Sequence, residues 1–199
     1  MKPTHSDPTV QPVPASVVAT VDAADTTLSN PRWAVLALGA NLGNRLETLQ
    51  GAVDALGDTP GLRVKAVSPV YETAPWGVEP GTQPSYLNAV ALVKTTLPPS
   101  SLLERAHAVE EAFHRVREER WGARTIDVDI ITYANVVSED PVLTLPHPRA
   151  HERAFVLAPW HDVDPAAQLP GRGAVADLLA ALGSAGVTPR VDLELRLPE

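Results

Sequence analysis

The stretch Arg115-Val-Arg-Glu-Glu-Arg-Trp-Gly-Ala-Arg-Thr-Ile-Asp-Val-Asp-Ile130 joins two kinds of chemistry that folding alone does not require. Its second half reads as a strand. From Thr125 to Ile131 side chains alternate between two faces, so Ile126, Val128 and Ile130 share one and Asp127 and Asp129 the other. The apolar face is expected to pack and the acidic face to stay open to a cation. At a rise of ~3.3 Å per residue the two aspartates stand roughly 6.6 Å apart at Cα. That spacing suits two oxygen-ligated Mg²⁺ ions about 3.5–4 Å apart, and hard divalent ions take carboxylates as ligands. Two aspartates on one strand face also repel unless something cationic lies between them. The first half is cationic: Arg115, Arg117, Arg120 and Arg124 surround Gly122. Guanidinium forks match phosphate oxygens, and the glycine lets the chain bend. Together the halves point to a metal-bound polyphosphate. The blander reading is a solvated strand face beside arginines balanced by Glu118 and Glu119.

Around this centre the chain is organised simply. Its 199 residues and 44% hydrophobic content suit one well-cored globular domain. A net charge of -8 argues against a nonspecific nucleic-acid binder. With no cysteine there are no disulfides, thiolate zinc sites or thiol nucleophiles. No apolar run is long enough for a membrane span, and the N-terminus does not read as a secretory signal, so the cytoplasm is the expected location. Residues 1–31 are rich in Pro, Thr, Ser, Ala and Val without a period, and are expected to form a disordered tail. The domain is expected to run from 32 to 199.

Trp33 to Leu38 reads as a buried strand, and Gly39 to Gly43 as a turn that lacks the Gly-Lys-Ser/Thr of a P-loop. Asn44 then opens an amphipathic helix through Leu46, Leu49, Val53 and Leu56, with Glu47 in a capping-box position and Gly57 as its stop. Leu62 to Thr73 is expected as one strand, Ala74 to Ser85 as a loop, and Tyr86 to Thr95 as a second strand. Pro98-Pro99 opens a helix packed through Leu102, Leu103, Ala106, Val109 and Phe113, with His107, Glu110 and His114 on its polar side. A turn at Asn135 leads to a basic and aromatic cluster from Leu143 to Phe155. A late helix is expected over Ala174 to Leu182, and a half-buried strand over Val191 to Leu197.

The order of these motifs resembles the family of 6-hydroxymethyl-7,8-dihydropterin pyrophosphokinases of folate biosynthesis. The resemblance rests on Leu38-Gly-Ala-Asn-Leu-Gly43, Tyr71-Glu-Thr-Ala-Pro-Trp-Gly77, Tyr86-Leu-Asn88-Ala, Arg115-Val-Arg117, the Arg120-Trp-Gly to Asp127-Val-Asp129 block, Leu145-Pro-His147-Pro and Arg153-Ala-Phe155. It implies an α+β fold with a ferredoxin-like antiparallel sheet, flanking helices and a C-terminal extension. It also implies transfer of the β,γ-pyrophosphoryl group of ATP to the pterin hydroxymethyl oxygen, with release of AMP. By the same likeness Asp127 and Asp129 hold two Mg²⁺ ions, and Arg115, Arg117, Arg120 and Arg124 neutralise the transferring group. The pterin meets Asn41, Thr73, Pro75, Trp76, Tyr86, Asn88 and Phe155. The nucleotide meets Leu103, His107, Glu110, Arg117, Trp121, Ile130, Thr144, His147 and Arg153.

The expected partners are these two small molecules, not nucleic acid or membrane, with other folate-pathway enzymes as a further candidate. Four positions depart from the family pattern: His107 stands for glutamine, His114 for glycine, Ala123 for proline and Val142 for a basic residue. Two rival readings stay open at this level. One is another Mg²⁺-dependent nucleotide transferase on the same sheet. The other is a non-catalytic binding module, either an RNA-binding sheet, which the acidic balance and few aromatics disfavour, or an enzyme relic that only holds nucleotide, which the intact Asp127 and Asp129 disfavour.

Overall fold

The computed structural model describes residues 30–75, 83–113 and 125–198. In chain order its elements are β1 (Arg32–Ala40), α1 (Arg45–Gly57), β2 (Leu62–Val67), β3 (Tyr71–Thr73), β4 (Tyr86–Thr95), α2 (Pro99–Ala112) and β5 (Asp127–Tyr133). The short strands β6 (Ser138–Glu139) and β7 (Thr144–Leu145) and a 3₁₀ turn (Ala150–Glu152) then lead into α3 (Ala154–Val163). Last come β8 (Gln168–Leu169), β9 (Gly173–Ala174), α4 (Val175–Leu182) and β10 (Val187–Pro189).

The main sheet is antiparallel, in the order β10-β3-β4-β1-β5, with β2 pairing β4 beyond β3. If β2 and β3 are taken as one broken strand, the core is a β-α-β-β-α-β unit with its first and third strands central. That is the ferredoxin-like arrangement.

One face of the sheet carries Leu36, Leu38, Ala40, Leu87, Ala89, Ala91, Val93, Val128 and Ile130, buried against Leu49, Val53 and Leu56 of α1 and Leu102, Ala106 and Val109 of α2. Alternation along each strand dictates this division. Asn44 caps α1, its side chain accepting from the backbone N–H of Glu47 at 3.4 Å. Pro99 starts α2, where its missing N–H costs nothing. The opposite face holds a second cluster, Val35, Val90 and Ile131 under Val156, Leu157 and Trp160 of α3. The acidic face of β5 is therefore open only at Asp127 and Asp129. Two residues on, a bulge against β1 leaves Ile131 without an opposite number, and it is fully buried.

Several elements differ from expectation. Leu62 to Thr73 is two strands, because Pro69 has no N–H to donate. Ser68 bridges the break: its N–H donates to the Val90 carbonyl at 2.8 Å, and its hydroxyl accepts from the Val90 N–H at 2.9 Å. Strand β1 runs through Gly39 to Ala40 where a turn was expected from residue 39. Val191 to Leu197 is not a strand. Leu193 and Leu195 pack on the core as the alternation predicts, but the backbone partner is a side chain. Gln50 accepts from the Arg196 N–H at 2.8 Å and donates to the Arg196 carbonyl at 3.1 Å. Helix α3 has no counterpart in the sequence pattern, which Pro159 interrupts. Glu110, expected on the polar side of α2, is buried. The anticipated tail lies outside the described residues except for its last two positions. No helix among the described residues is long and apolar enough to cross a membrane.

Candidate active site

The half of the sheet face that α3 leaves uncovered forms the floor of a cavity of about 440 Å³. Strand register decides which residues meet there. Gly39 of β1 pairs with Asn88 of β4 on one side and Asp127 of β5 on the other, and Ala37 pairs with Val90 and Asp129. Asn88 and Asp127 thus stand two strand spacings apart, roughly 10 Å. Gly39 lies low between them: a Cβ there would come within 3.1 Å of Asn88 Oδ1 and 3.8 Å of Tyr86 Cδ1. An isolated glycine inside a strand often marks such a close approach, and this is the signal by which the sequence could have disclosed Gly39.

At the β3–β4 end, Thr73, Pro75, Tyr86, Asn88 and Phe155 line the cavity. The buried Asn88 amide donates from Nδ2 to Thr73 Oγ1 at 2.8 Å, which fixes the side chain and turns Oδ1 over Gly39. Asn41 is buried outside the lining. It donates from Nδ2 to the Pro84 carbonyl at 3.4 Å and to Gln83 Oε1 at 3.5 Å, so it holds the loop segment leading into Tyr86.

At the β5–α2 end, Leu103, His107, Glu110, Asp127, Asp129, Ile130, Thr144, His147 and Arg153 line the same cavity. Glu110 Oε1 accepts from the Val128 N–H at 2.9 Å, sealing a donor on the edge strand. Arg153 Nη1 donates to Asp129 Oδ2 at 2.9 Å, and its guanidinium lies 5.7 Å from the centre of the Phe155 ring. Among the described residues its buried Nε has no hydrogen-bond partner.

His147 is pinned to β5, its backbone N–H donating to the Ile131 carbonyl at 2.8 Å. Its Nδ1 accepts from the Arg149 N–H at 3.2 Å, so a neutral ring carries its proton on Nε2, 3.9 Å from Asp129 Oδ2. Burial pushes the His147 pKa below the ordinary value more strongly than Asp129 pulls it up, which favours that neutral form.

The expected residues Trp76, Arg115, Arg117, Arg120, Trp121 and Arg124, and the departures His114 and Ala123, lie outside the described residues. The structure gathers the others into one cavity, Asn41 excepted. It adds Gln83, Pro141, Leu143 and Pro148, and includes Val142, which is 78% exposed at the rim. Gln83 and residues 141–143 carry no motif, and only the fold brings them to the site, whereas Pro148 belongs to the Leu145-Pro-His147-Pro motif. Among the described residues no group of three His, Asp or Glu side chains is placed to hold a metal. Two hard carboxylates on one strand face are what the protein offers, a set that fits a cation drawing its remaining ligands from phosphate and water.

Comparison with known proteins agrees with this geometry. The family model for 7,8-dihydro-6-hydroxymethylpterin-pyrophosphokinase (HPPK) matches residues 35–165. The 2-amino-4-hydroxy-6-hydroxymethyldihydropteridine pyrophosphokinase of Methylorubrum extorquens is 43% identical over 154 residues, covering 77% of this chain and 96% of its own. The enzyme of the same name from Mycobacterium leprae is 48% identical over 160 residues, covering 74% and 81%. Among solved structures, a triple mutant of Plasmodium falciparum HPPK-DHPS superposes with a TM-score of 0.60 at 16% identity. That likeness bears on the fold alone; it covers 80% of this chain, which spans only 46% of the Plasmodium chain. A family match over residues 35–165 and relatives above 40% identity over about three quarters of its length place this chain in the 7,8-dihydro-6-hydroxymethylpterin-pyrophosphokinase family.

Proposed function

We propose that the cavity is where this chain joins a pterin to a nucleotide: the pterin at the Thr73, Tyr86, Asn88 and Phe155 end, ATP at the Leu103, His107, Glu110, Thr144 and His147 end. The reaction moves the pyrophosphoryl group of ATP to 6-hydroxymethyl-7,8-dihydropterin. The hydroxymethyl oxygen bonds to Pβ and loses its proton to solvent, the bond from Pβ to the α,β-bridging oxygen breaks, and AMP leaves carrying that oxygen. The observation that carries this reading is the shared floor, with Asn88 and Asp127 on either side of Gly39.

A flat heterocycle gains from aromatic faces and a few fixed polar partners, and the β3–β4 end offers Tyr86, Phe155 and an immobilised Asn88 amide. Transfer of this kind depends on positioning and charge stabilisation. Asp127 and Asp129 would hold Mg²⁺, two ions by family likeness, whose part when bound is to neutralise and orient the phosphate oxygens. Arg153 keeps a positive charge against Asp129 and stands between that carboxylate and Phe155. Neutral His147 presents an Nε2–H donor beside the same carboxylate, where a phosphate oxygen can accept it. Arg115, Arg117, Arg120 and Arg124 complete the proposed charge set from the sequence alone.

A domain over residues 32–199, a place in the cytoplasm and small-molecule substrates belong to the same reading. The name HPPK-DHPS of the Plasmodium chain supports a second folate-pathway enzyme as the protein partner to look for. Incubation with ATP, Mg²⁺ and 6-hydroxymethyl-7,8-dihydropterin, followed by separation of the nucleotides, tests the reading. AMP is the expected product; ADP, or no turnover, overturns it.

A further inference from the structure

Behind the Tyr86 wall lies a polar cluster that none of the steps above uses. Glu72 is the middle residue of β3, between Tyr71 and Thr73, so alternation turns it to the sheet face away from the cavity. Its carboxylate gathers donors from three other parts of the chain. Arg45 Nη1, at the start of α1, donates to Oε1 at 2.8 Å, and Ser85 Oγ, just before β4, donates to the same oxygen at 2.6 Å. Arg190 Nη1, just after β10, donates to Oε2 at 2.7 Å. Arg45 also reaches the Ser85 carbonyl at 2.8 Å and its hydroxyl at 2.7 Å, so Ser85 is held through both backbone and side chain. Arg190 forks onto Asp192 at 2.9 and 2.7 Å. Two cations meet two anions, so the cluster is closed on itself and calls for no outside ion.

Its position gives it a purpose. Ser85 is followed directly by Tyr86, and Glu72 directly by Thr73, and Tyr86 and Thr73 are opposite one another in the β3–β4 register. Thr73 in turn accepts the Asn88 amide proton. Three cavity residues thus hang on the two backbones that Glu72 ties together. The Ser85 bond, then the Arg45 bond, holds the Glu72 carboxyl down to about 2, so it is charged wherever the enzyme is folded and working. With side chains about a quarter exposed, the ion pairs are screened and contribute modestly to overall stability.

We propose that Glu72 is a positioning residue for the pterin half of the site, acting through Ser85 and Thr73 to set Tyr86 and the Thr73–Asn88 pair. The proposal rests on the reading that the pterin occupies that end. Glu72→Gln keeps the shape but presents an amide N–H₂ to at least one of the donors that now meet an acceptor. In the full chain the KM for 6-hydroxymethyl-7,8-dihydropterin is expected to rise about tenfold, in line with the loss of a charge-assisted hydrogen bond. Calorimetric affinity for a non-hydrolysable ATP analogue and kcat at saturation are expected to stay within about twofold, a margin well under 1.4 kcal/mol.

Ser85→Ala, which leaves every ion pair in place, serves if the first variant does not fold. It is expected to raise the same KM about fivefold, the worth of a neutral hydrogen bond. An unchanged pterin KM in the folded variants, with a lowered melting temperature, makes the cluster a structural brace and overturns the role while the reading of the cavity stands. Loss of affinity for the ATP analogue with pterin affinity intact overturns that reading instead, and the proposal with it.

Discussion

Asp127 and Asp129 are the residues at which a solvated strand face and a cation site make opposite forecasts. Exchanging either carboxylate for its amide keeps the shape and removes the charge that a hard cation needs. On the solvated reading Asp127→Asn and Asp129→Asn relieve repulsion and leave activity alone. In the proposed role each lowers turnover at least ~100-fold, or about 2.7 kcal/mol, and weakens the Mg²⁺ dependence in a titration, while circular dichroism shows the fold intact. Near-normal turnover at limiting Mg²⁺ would remove the metal assignment. Glu72 makes a different forecast. Its pKa is about 2 in the folded protein against an ordinary 4.5, so the unfolded chain binds more protons through that window and stability rises with pH across it. The contribution of Glu72 is complete above 4.5 and is lost as pH falls toward 2. The urea midpoint of the native protein should therefore exceed that of Glu72→Gln near neutrality, and the gap should close on acidification; a gap independent of pH would mean that the charge is not what matters. Both aspartates were legible in the sequence because alternation on a strand fixes their face. Glu72 was not, since its partners Arg45, Ser85 and Arg190 are brought to it by three separate turns of the chain.

Elements were legible where one periodicity and one set of stop signals sufficed, as in α1 between Asn44 and Gly57 or β4 from Tyr86 to Thr95. They were not where a single residue broke the pattern or tertiary contacts supplied the partner. Pro69 splits a strand that the sequence pattern runs through, and Gln50 stands in for the partner strand that the alternation of Val191–Leu197 calls for. Helix α3 is the consequential case, because Arg153 is its N-cap residue and Phe155 lies in its first turn, so its packing sets where both meet the cavity. That packing rests on Val156, Leu157 and Trp160. Leu157 is fully buried, so Leu157→Ala is expected to cost about 2–5 kcal/mol in urea unfolding. Trp160 is 3% exposed, but among the described residues its buried Nε1–H has no acceptor. Trp160→Phe discards an unsatisfied donor along with part of a ring, and the cost is expected to stay below about 1.5 kcal/mol, in the range of tolerated hydrophobic exchanges. A loss as large as that of Leu157→Ala would mean that the indole proton is bonded in solution.

On the scale of the whole molecule the two ends of the sequence are unlike. The C-terminal segment completes the fold: β10 adds a strand beside β3, the Arg190 N–H donates to the Val70 carbonyl at 2.8 Å, and Leu195 enters the core beneath α1. Removing it from Val187 onward strips Leu193 and Leu195 from apolar neighbours and Arg190 from Glu72. Burial of Leu195 and partial burial of Leu193 are together worth about 2–4 kcal/mol, and at about 2–4 °C per kcal/mol for a domain of this size the melting temperature should fall by roughly 5–15 °C. Residues 1–31 have the opposite character in the sequence. Proline, threonine, serine, alanine and valine without helical or strand period offer little large apolar surface to offset the entropy of ordering, and β1 starts its pairing with β4 at Arg32 itself, opposite Thr95. A chain starting at Arg32 should therefore melt within about 2 °C of the full sequence, less than 1 kcal/mol of difference, and turn over at the same rate. A matching loss from both truncations would show that the N-terminal residues dock on the domain, and its proposed boundary at residue 32 would have to move toward the N-terminus.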